Sequence, residues 1–190
     1  MEAFLEQLRQ AGAPAELLQE IVPLVGHRTL RAHQLLAEPG QLCQEAYLVL
    51  RGGFVCRYVD AEQDLCKTVN FFLPDFHPYM SCVDSFFSGQ PTGCELRAIA
   101  ASEVLVFPKA HIEAFIRRDI RLFSFFHDLV TTALQEENSL KLKIIAYPSA
   151  KLYDYLLAEC PHVVRQVPAR YIAELMGISP EWLSKLKGRR

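Results

Sequence analysis

Apolar residues recur along this chain in three successive textures. Residues 2–25 carry Phe4, Leu5 and Leu8, then Leu17, Leu18, Ile21, Val22 and Leu24. That spacing marks one face of a helix, and the Gly12-Ala13-Pro14 break predicts two short amphipathic helices rather than one. From His27 the texture changes to short runs bounded by turn signals: Glu38-Pro39-Gly40, Arg51-Gly52-Gly53, Asp60 to Asp64 and Leu73-Pro74-Asp75. Between them lie AYLVL, FVCRYV and LCKTVNFFL, with ELRAIA and EVLVF on either side of Ala101-Ser102. Such runs are rich in β-branched and aromatic residues and predict strands of a sandwich or barrel-like roll. Ser81 to Phe87 reads as a short helix inserted between strands.

Pro108 closes the β region. Lys109 to Arg117 predicts a short helix and Asp119 to about Ala146 a long one. The long helix carries two apolar stripes. Leu122, Phe126, Leu129, Ala133 and Leu140 continue to Ile144 at mostly three- and four-residue steps, and Phe123, Val130 and Leu134 lie beside them. One stripe is expected to pack on the roll and the other on a partner helix. The first, Leu122 to Leu140, is taken as the dimer seam. Tyr147-Pro148-Ser149 marks a boundary, because proline disfavours helix at the residue before it. Ser149 is expected to cap the next helix, with its Leu152, Tyr155, Leu156 stripe, which ends at Cys160-Pro161.

The last two dozen residues read VPARYIAELMGISPEWLSKLKGRR. Pro168 suits a first helical turn, and Ile172, Ala173 and Leu175 form a packing face. Gly177 can take the left-handed conformation that ends a helix. Ser179 can cap a new helix, with Pro180 at its first position and Glu181 near its positive end. Helix, glycine-containing turn and basic helix form the helix-turn-helix pattern, whose second helix enters the major groove of DNA.

Charge partition supports a polyanion partner there. Residues 141–190 hold nine Lys/Arg, including Arg189 and Arg190, and four Asp/Glu, a formal +5; the remaining residues carry −7. Composition excludes several classes. With 51% hydrophobic and 22% charged residues the chain is globular, not disordered. No apolar run is long enough to span a bilayer and no signal peptide is visible, so a cytoplasmic protein is expected. Cys43, Cys56, Cys66, Cys82, Cys94 and Cys160 include no C-x-x-C pair, so no metal site is expected, and reduced, partly buried thiols are. His27, His33, His77, His111, His127 and His162 show no clustering with carboxylates, which argues against an enzyme of the cupin type.

Two helices, a roll, a long helix and a helix-turn-helix, in that order, resemble the Crp/Fnr family of bacterial transcription regulators along nearly the whole chain. Leu35 to Gly40 followed by Ala46 to Gly53 looks like the family's first strands, a signature shared with cyclic-nucleotide-binding domains generally. Ile172 to Glu181 looks like its helix-turn-helix, and the Ser179-Pro180-Glu181 start resembles a short-chain subgroup. The resemblance implies an α+β fold. Residues 1–118 would form a cyclic-nucleotide-binding-like sensor built on an antiparallel β-roll (a double-stranded β-helix), 119–147 a dimerisation helix and 148–190 a DNA-binding unit. The chain stops at Arg190, just after the recognition helix, so a winged-helix-like unit with its wing truncated or absent is expected.

Carried over residue by residue, the resemblance places Ser179, Glu181 and Lys185 at base-reading positions, while Pro180 replaces an arginine and removes a guanine contact. Arg170, Ser179, Trp182, Ser184, Lys185 and Lys187 complete the expected DNA contacts, Arg170, Ser179, Ser184 and Lys187 as phosphate contacts. The effector pocket is expected around Cys82, Asp84, Ser85, Thr92, Cys94 and Arg97. Family members that bind cyclic nucleotides use a glutamate and an arginine, and those positions fall near Cys82 and Thr92, so tight cAMP binding is not expected. Arg97 could substitute but reads first as an outward strand residue, and Cys82, Cys94 and His77 leave a redox role open. The expected protein is a dimeric, sequence-specific DNA-binding regulator with an unidentified small-molecule effector. The partners implied are double-stranded DNA, a second copy and RNA polymerase. The competing reading is a ligand-binding roll whose C-terminal helices contact protein.

Overall fold

The computed structural model describes residues 1–188; Arg189 and Arg190, two of the basic residues counted above, lie outside the described residues. Helices α1 (Glu2–Gln10) and α2 (Ala15–Ile21) precede eight strands: β1 (Gly26–Leu30), β2 (Leu35–Ala37), β3 (Glu45–Arg51), β4 (Phe54–Asp60), β5 (Leu65–Phe72), β6 (Tyr79–Met80), β7 (Cys94–Ala98) and β8 (Ser102–Pro108). Helix α3 (Val83–Ser88) lies between β6 and β7. Then follow α4 (Lys109–Arg118), α5 (Ile120–Ala146), α6 (Ser149–Glu159), α7 (Pro161–Gln166), α8 (Ala169–Leu175) and α9 (Pro180–Gly188). Among the described residues the strands form two four-stranded sheets in the orders β1-β8-β3-β6 and β2-β7-β4-β5, with neighbouring strands antiparallel. This is the expected α+β roll. The β3–β4 connection requires glycine at position 52, where φ is +74° and a Cβ would fall 2.5 Å from the Ala101 carbonyl oxygen.

The central strands of both sheets are buried on both faces over much of their length. On β4, Phe54 and Cys56 point into the roll with Phe72 of β5, while Val55, Phe71 and Leu73 point away from it into a cluster formed by the C-terminal helices. On the other sheet Tyr47, Val49, Val104 and Val106 face the roll interior, and Leu48 and Leu105 pack against Phe4, Leu8, Leu18 and Ile21. Double burial explains the uninterrupted apolar runs YLVL and NFFL, since alternation with polar residues is expected only where one face is wet. Helix α5 joins the two covers. Leu122 at its start belongs to the N-terminal cluster, and Leu140 belongs to the C-terminal one.

Within the single chain the residues of the expected seam divide. Leu122 and Leu140 are buried against the chain's own roll, and Phe126 and Leu129 also turn inward, lining a cavity under α4, while Ala133 is exposed. The outer flank belongs to the second stripe: Phe123 is 47% exposed and Leu134 66%, with Ile120 and Ile145 exposed in line with them. Two stripes of similar polarity cannot be ranked by spacing; what decides is where the roll lies.

A polar link reinforces the apolar junction between the roll and the C-terminal helices. Arg57 of β4 follows Val55 on the outer face and pairs across the sheet with Thr68 on one side and Glu95 on the other. Its guanidinium donates to both carboxylate oxygens of Glu174 on α8, at 3.0 and 3.2 Å, and to Glu95 at 3.3 Å. Thr68 also donates to Glu174, and Arg97 donates to Glu95 at 2.8 and 3.0 Å. Burial pushes the Glu174 carboxyl up, but the hydrogen bonds from Arg57 and Thr68 outweigh it and hold it below the usual carboxylate range. The same bonds raise the Arg57 guanidinium against its own desolvation.

A carboxyl held below its unfolded pKa, about 4.3, stabilises the fold above that value and loses the contribution as pH falls through the folded value. Glu174→Gln is therefore expected to cost about 1–2 kcal/mol at pH 7, since Arg57 keeps Glu95 as a partner. In urea unfolding of the full chain the gap to the parent should narrow as pH drops below about 4. A gap that stays constant to pH 3 would contradict the link.

Candidate nucleic-acid interface

Helix α8 ends as its sequence directs. Gly177 has φ +65°, its N–H donates to Glu174 O at 3.2 Å, and Ile178 N–H donates to Ala173 O at 3.0 Å. This is the double bond pattern by which a left-handed glycine closes a helix and reverses the chain. Ser179 then opens α9: its Oγ accepts from Trp182 N–H at 3.2 Å. Its own backbone N–H and the Ser179 hydroxyl hold the Glu181 carboxyl below the usual range, so the carboxylate is ionised at neutral pH. Leu183 and Leu186 are buried against Ile172, Leu175 and the α6 residues Leu152 and Leu156. Fixing the inner face in this way leaves Ser179, Pro180, Glu181, Ser184, Lys185 and Lys187 together on the exposed face.

Two other expected contacts point elsewhere. The Trp182 indole N–H donates to Ser149 Oγ at 3.1 Å, tying α9 to the start of α6. Ser149 is thus not the cap of α6, which has Pro148 at that position and no side-chain cap bond. Arg170 turns towards the roll: it donates to the Tyr171 hydroxyl at 2.9 Å and stacks over that ring. It lines a polar cleft with His33, Arg57, Arg97 and Glu174 rather than joining the α9 face. Helix α7, which completes the support under α8 through Val163, is an addition to the expected elements, in which the hairpin follows Cys160-Pro161 directly.

The expected effector residues divide into two groups. Cys82, Asp84 and Cys94 line a cavity of about 640 Å3 between the roll and α5. Ser85 is fully buried beneath it, with its Oγ accepting from Cys43 N–H at 2.9 Å, and Thr92 is buried and donates to Asp84 at 2.8 and 3.0 Å. Arg97 belongs to the polar cleft and pairs with Glu95. It therefore does not substitute for the family's phosphate-binding arginine. Asp84 also accepts from Ser85 N–H and Gly93 N–H, so its carboxylate staples α3 to the 91–93 loop.

The sequence reading missed the other wall. Asn70 of β5 and Glu137 of α5 meet at 2.7 Å, and Thr68, Asn138 and Lys141 complete the lining. The available signal was weak: Glu137 and Lys141 stand one turn apart on α5. With Asp84 and Glu137 against one lysine, this cavity does not fit a nucleotide phosphate, which needs clustered donors and positive charge. Among the described residues, no three His, Cys, Asp or Glu side chains converge on a metal-sized site, all six cysteines are free thiols, and no helix is long and apolar enough to cross a membrane.

No protein-family model matches the sequence, and no curated protein is significantly similar to it. Solved structures do match in fold. FixK2 from Bradyrhizobium japonicum superposes with a TM-score of 0.73 at 13% identity, over 87% of this chain and 83% of that one. CLP from Xanthomonas campestris, a c-di-GMP-responsive global regulator, gives 0.65 at 12% identity over 93% and 91%. A transcriptional regulator from Eubacterium rectale assigned to the Crp/Fnr family gives 0.68 at 11% identity over 93% and 82%. At such identities the likeness is one of architecture, carried by the order of helices, roll, long helix and helix-turn-helix. The chain has the fold of the Crp/Fnr transcription regulators.

Proposed function

We propose that the chain is a dimeric, sequence-specific DNA-binding regulator in the cytoplasm, with residues 1–118 as sensor, 119–147 as dimer helix and 148–190 as DNA reader. The observation that carries this reading is the outward face of α9. Ser179, Glu181, Ser184, Lys185 and Lys187 are exposed together at the end of the molecule where positive charge is concentrated, while Leu183 and Leu186 anchor the opposite face. Glu181 would accept from cytosine N4, and Lys185 would donate to guanine or phosphate. Ser179, Ser184 and Lys187 would position the helix on the backbone. Pro180 contributes shape and no hydrogen bond. Trp182, bonded to Ser149, holds the helix rather than reading DNA.

A single α9 meets only one half-site. The exposed stripe of α5, Ile120, Phe123, Leu134 and Ile145, supports pairing with a second copy, and a two-fold pair would set two recognition helices about one turn (roughly 34 Å) apart. An effector in the roll–α5 cavity would act by preferring the dimer geometry with that spacing, and only to the extent of its differential affinity. The lining residues support an effector other than cAMP. RNA polymerase remains a partner by analogy with the family alone.

Lys185→Glu combined with Lys187→Glu is expected to weaken duplex binding at 0.1 M salt by about 100-fold or more, and to flatten the slope of log affinity against log salt by about 2. Unchanged binding would assign this basic face to a protein partner instead.

Leu134→Glu places like charges across the proposed seam. Sedimentation equilibrium should show the parent dimer replaced by monomer that still unfolds cooperatively, because Leu134 contributes little to the chain's own core. A variant that remains dimeric would contradict this seam.

A further inference from the structure

We propose that a second, apolar ligand site lies outside the roll, beneath α4, and takes an aliphatic molecule of about five or six carbons ending in one hydrogen-bonding oxygen. The site is a partly open cavity of about 120 Å3 bounded by α1, α2, the ends of β3 and β8, α4 and the first half of α5. Its walls are hydrocarbon: Phe4, Phe107, Ile112, Phe125 and Leu129 are typical. Of its seventeen lining residues His111 alone has a side chain able to carry charge near neutral pH, and the other polar group, the Tyr79 hydroxyl, is already bonded to Gln7. His111 Nδ1 is buried and, among the described residues, is the one buried side-chain nitrogen or oxygen with no hydrogen-bond partner.

These two facts together define the ligand. An apolar cavity of about 150 Å3 holds a six-carbon ring, so a space of about 120 Å3 limits an occupant to roughly five or six carbons. Water needs two to four polar partners, and these walls offer one, so a water cluster is a poor filler. A buried polar atom without a partner is costly, and apolar walls favour hydrocarbon. An alkyl chain filling the cavity, with its oxygen at His111 Nδ1, satisfies both demands. Nδ1 can donate or accept according to tautomer, so an alcohol and a carboxyl group are both compatible. This cavity shares no lining residue with the one between the roll and α5. It shares Leu122 and Phe126 with α5, so an occupant would brace the start of the helix proposed to dimerise; that consequence rests on the reading above, whereas binding does not.

The test is calorimetric titration of the full chain with hexanol and with hexanoate, with ethanol as the size control. Saturable binding of one six-carbon probe per chain is expected, with ethanol at least 100-fold weaker, since each buried methylene contributes about 0.8 kcal/mol. Preference between the two probes identifies the polar group. Ala46→Phe and Ile112→Phe fill the cavity from opposite walls; each should abolish binding while duplex affinity without probe is unchanged. His111→Leu should weaken binding about 10-fold. Absence of saturable heat for both six-carbon probes overturns the site. So does binding that survives both filling variants, which would place the probe elsewhere. Because DNA binding is measured on the same samples without probe, loss of the site and loss of the DNA reading are separable.

Discussion

Burial of the roll's sheets on both faces is the constraint from which the rest of this molecule follows. A roll wetted on its outside would be complete by itself. Here Leu48 and Leu105 would be exposed without α1 and α2, and Val55, Phe71 and Leu73 without the C-terminal helices. The roll is therefore stable only as the centre of a three-part stack, and each burial of such a side chain contributes about 1.5–3 kcal/mol. Helix α5 inserts Leu122 into one cover and Leu140 into the other. Its 27 residues at 1.5 Å each span about 40 Å, which is what lets one helix reach both ends.

Helix α9 inherits its orientation from this stack. Leu183 and Leu186 are in the same apolar cluster as Val55 and Phe71, so the inner face of α9 is fixed by the sheet itself. The Arg57–Glu174 pair adds direction to that packing. Ion pairs withdrawn from water yield little net stability, but breaking one is costly, so such a pair selects one docking geometry over its neighbours. Any event that moves β4 or β5 against α5 is thereby felt at α8. The cavity bounded by Thr68, Asn70, Glu137 and Lys141 lies at that junction.

Much of this was legible in the sequence. Gly177 and Ser179-Pro180 specify a helix end and a helix start through local backbone chemistry, and local chemistry reads directly. The runs in β3, β4, β5, β7 and β8 were legible as strands from composition. The two-residue β6 was too short to carry a pattern, and β1, GHRTL, has four of its five residues exposed. Helix α7 spans six residues behind a proline, which reads as a helix stop rather than a new start. The two stripes of α5 were both visible, but amphipathic spacing does not record which neighbour is the chain's own, so it did not show that Leu122 and Leu140 enter the chain's own clusters. Arg57 and Glu174 stand 117 residues apart, and nothing local announces such a pair. Likewise Ser85, Thr92 and Arg97 belong to the expected pocket stretch, yet their side chains serve the scaffold.

The central claim is that two copies of α9 read a duplex through one exposed face. Selection of bound duplexes from a random pool by the full chain tests it most directly. The account predicts enrichment of a two-fold symmetric consensus whose half-sites are centred about ten base pairs apart. A pool that emerges without any enriched sequence would contradict it.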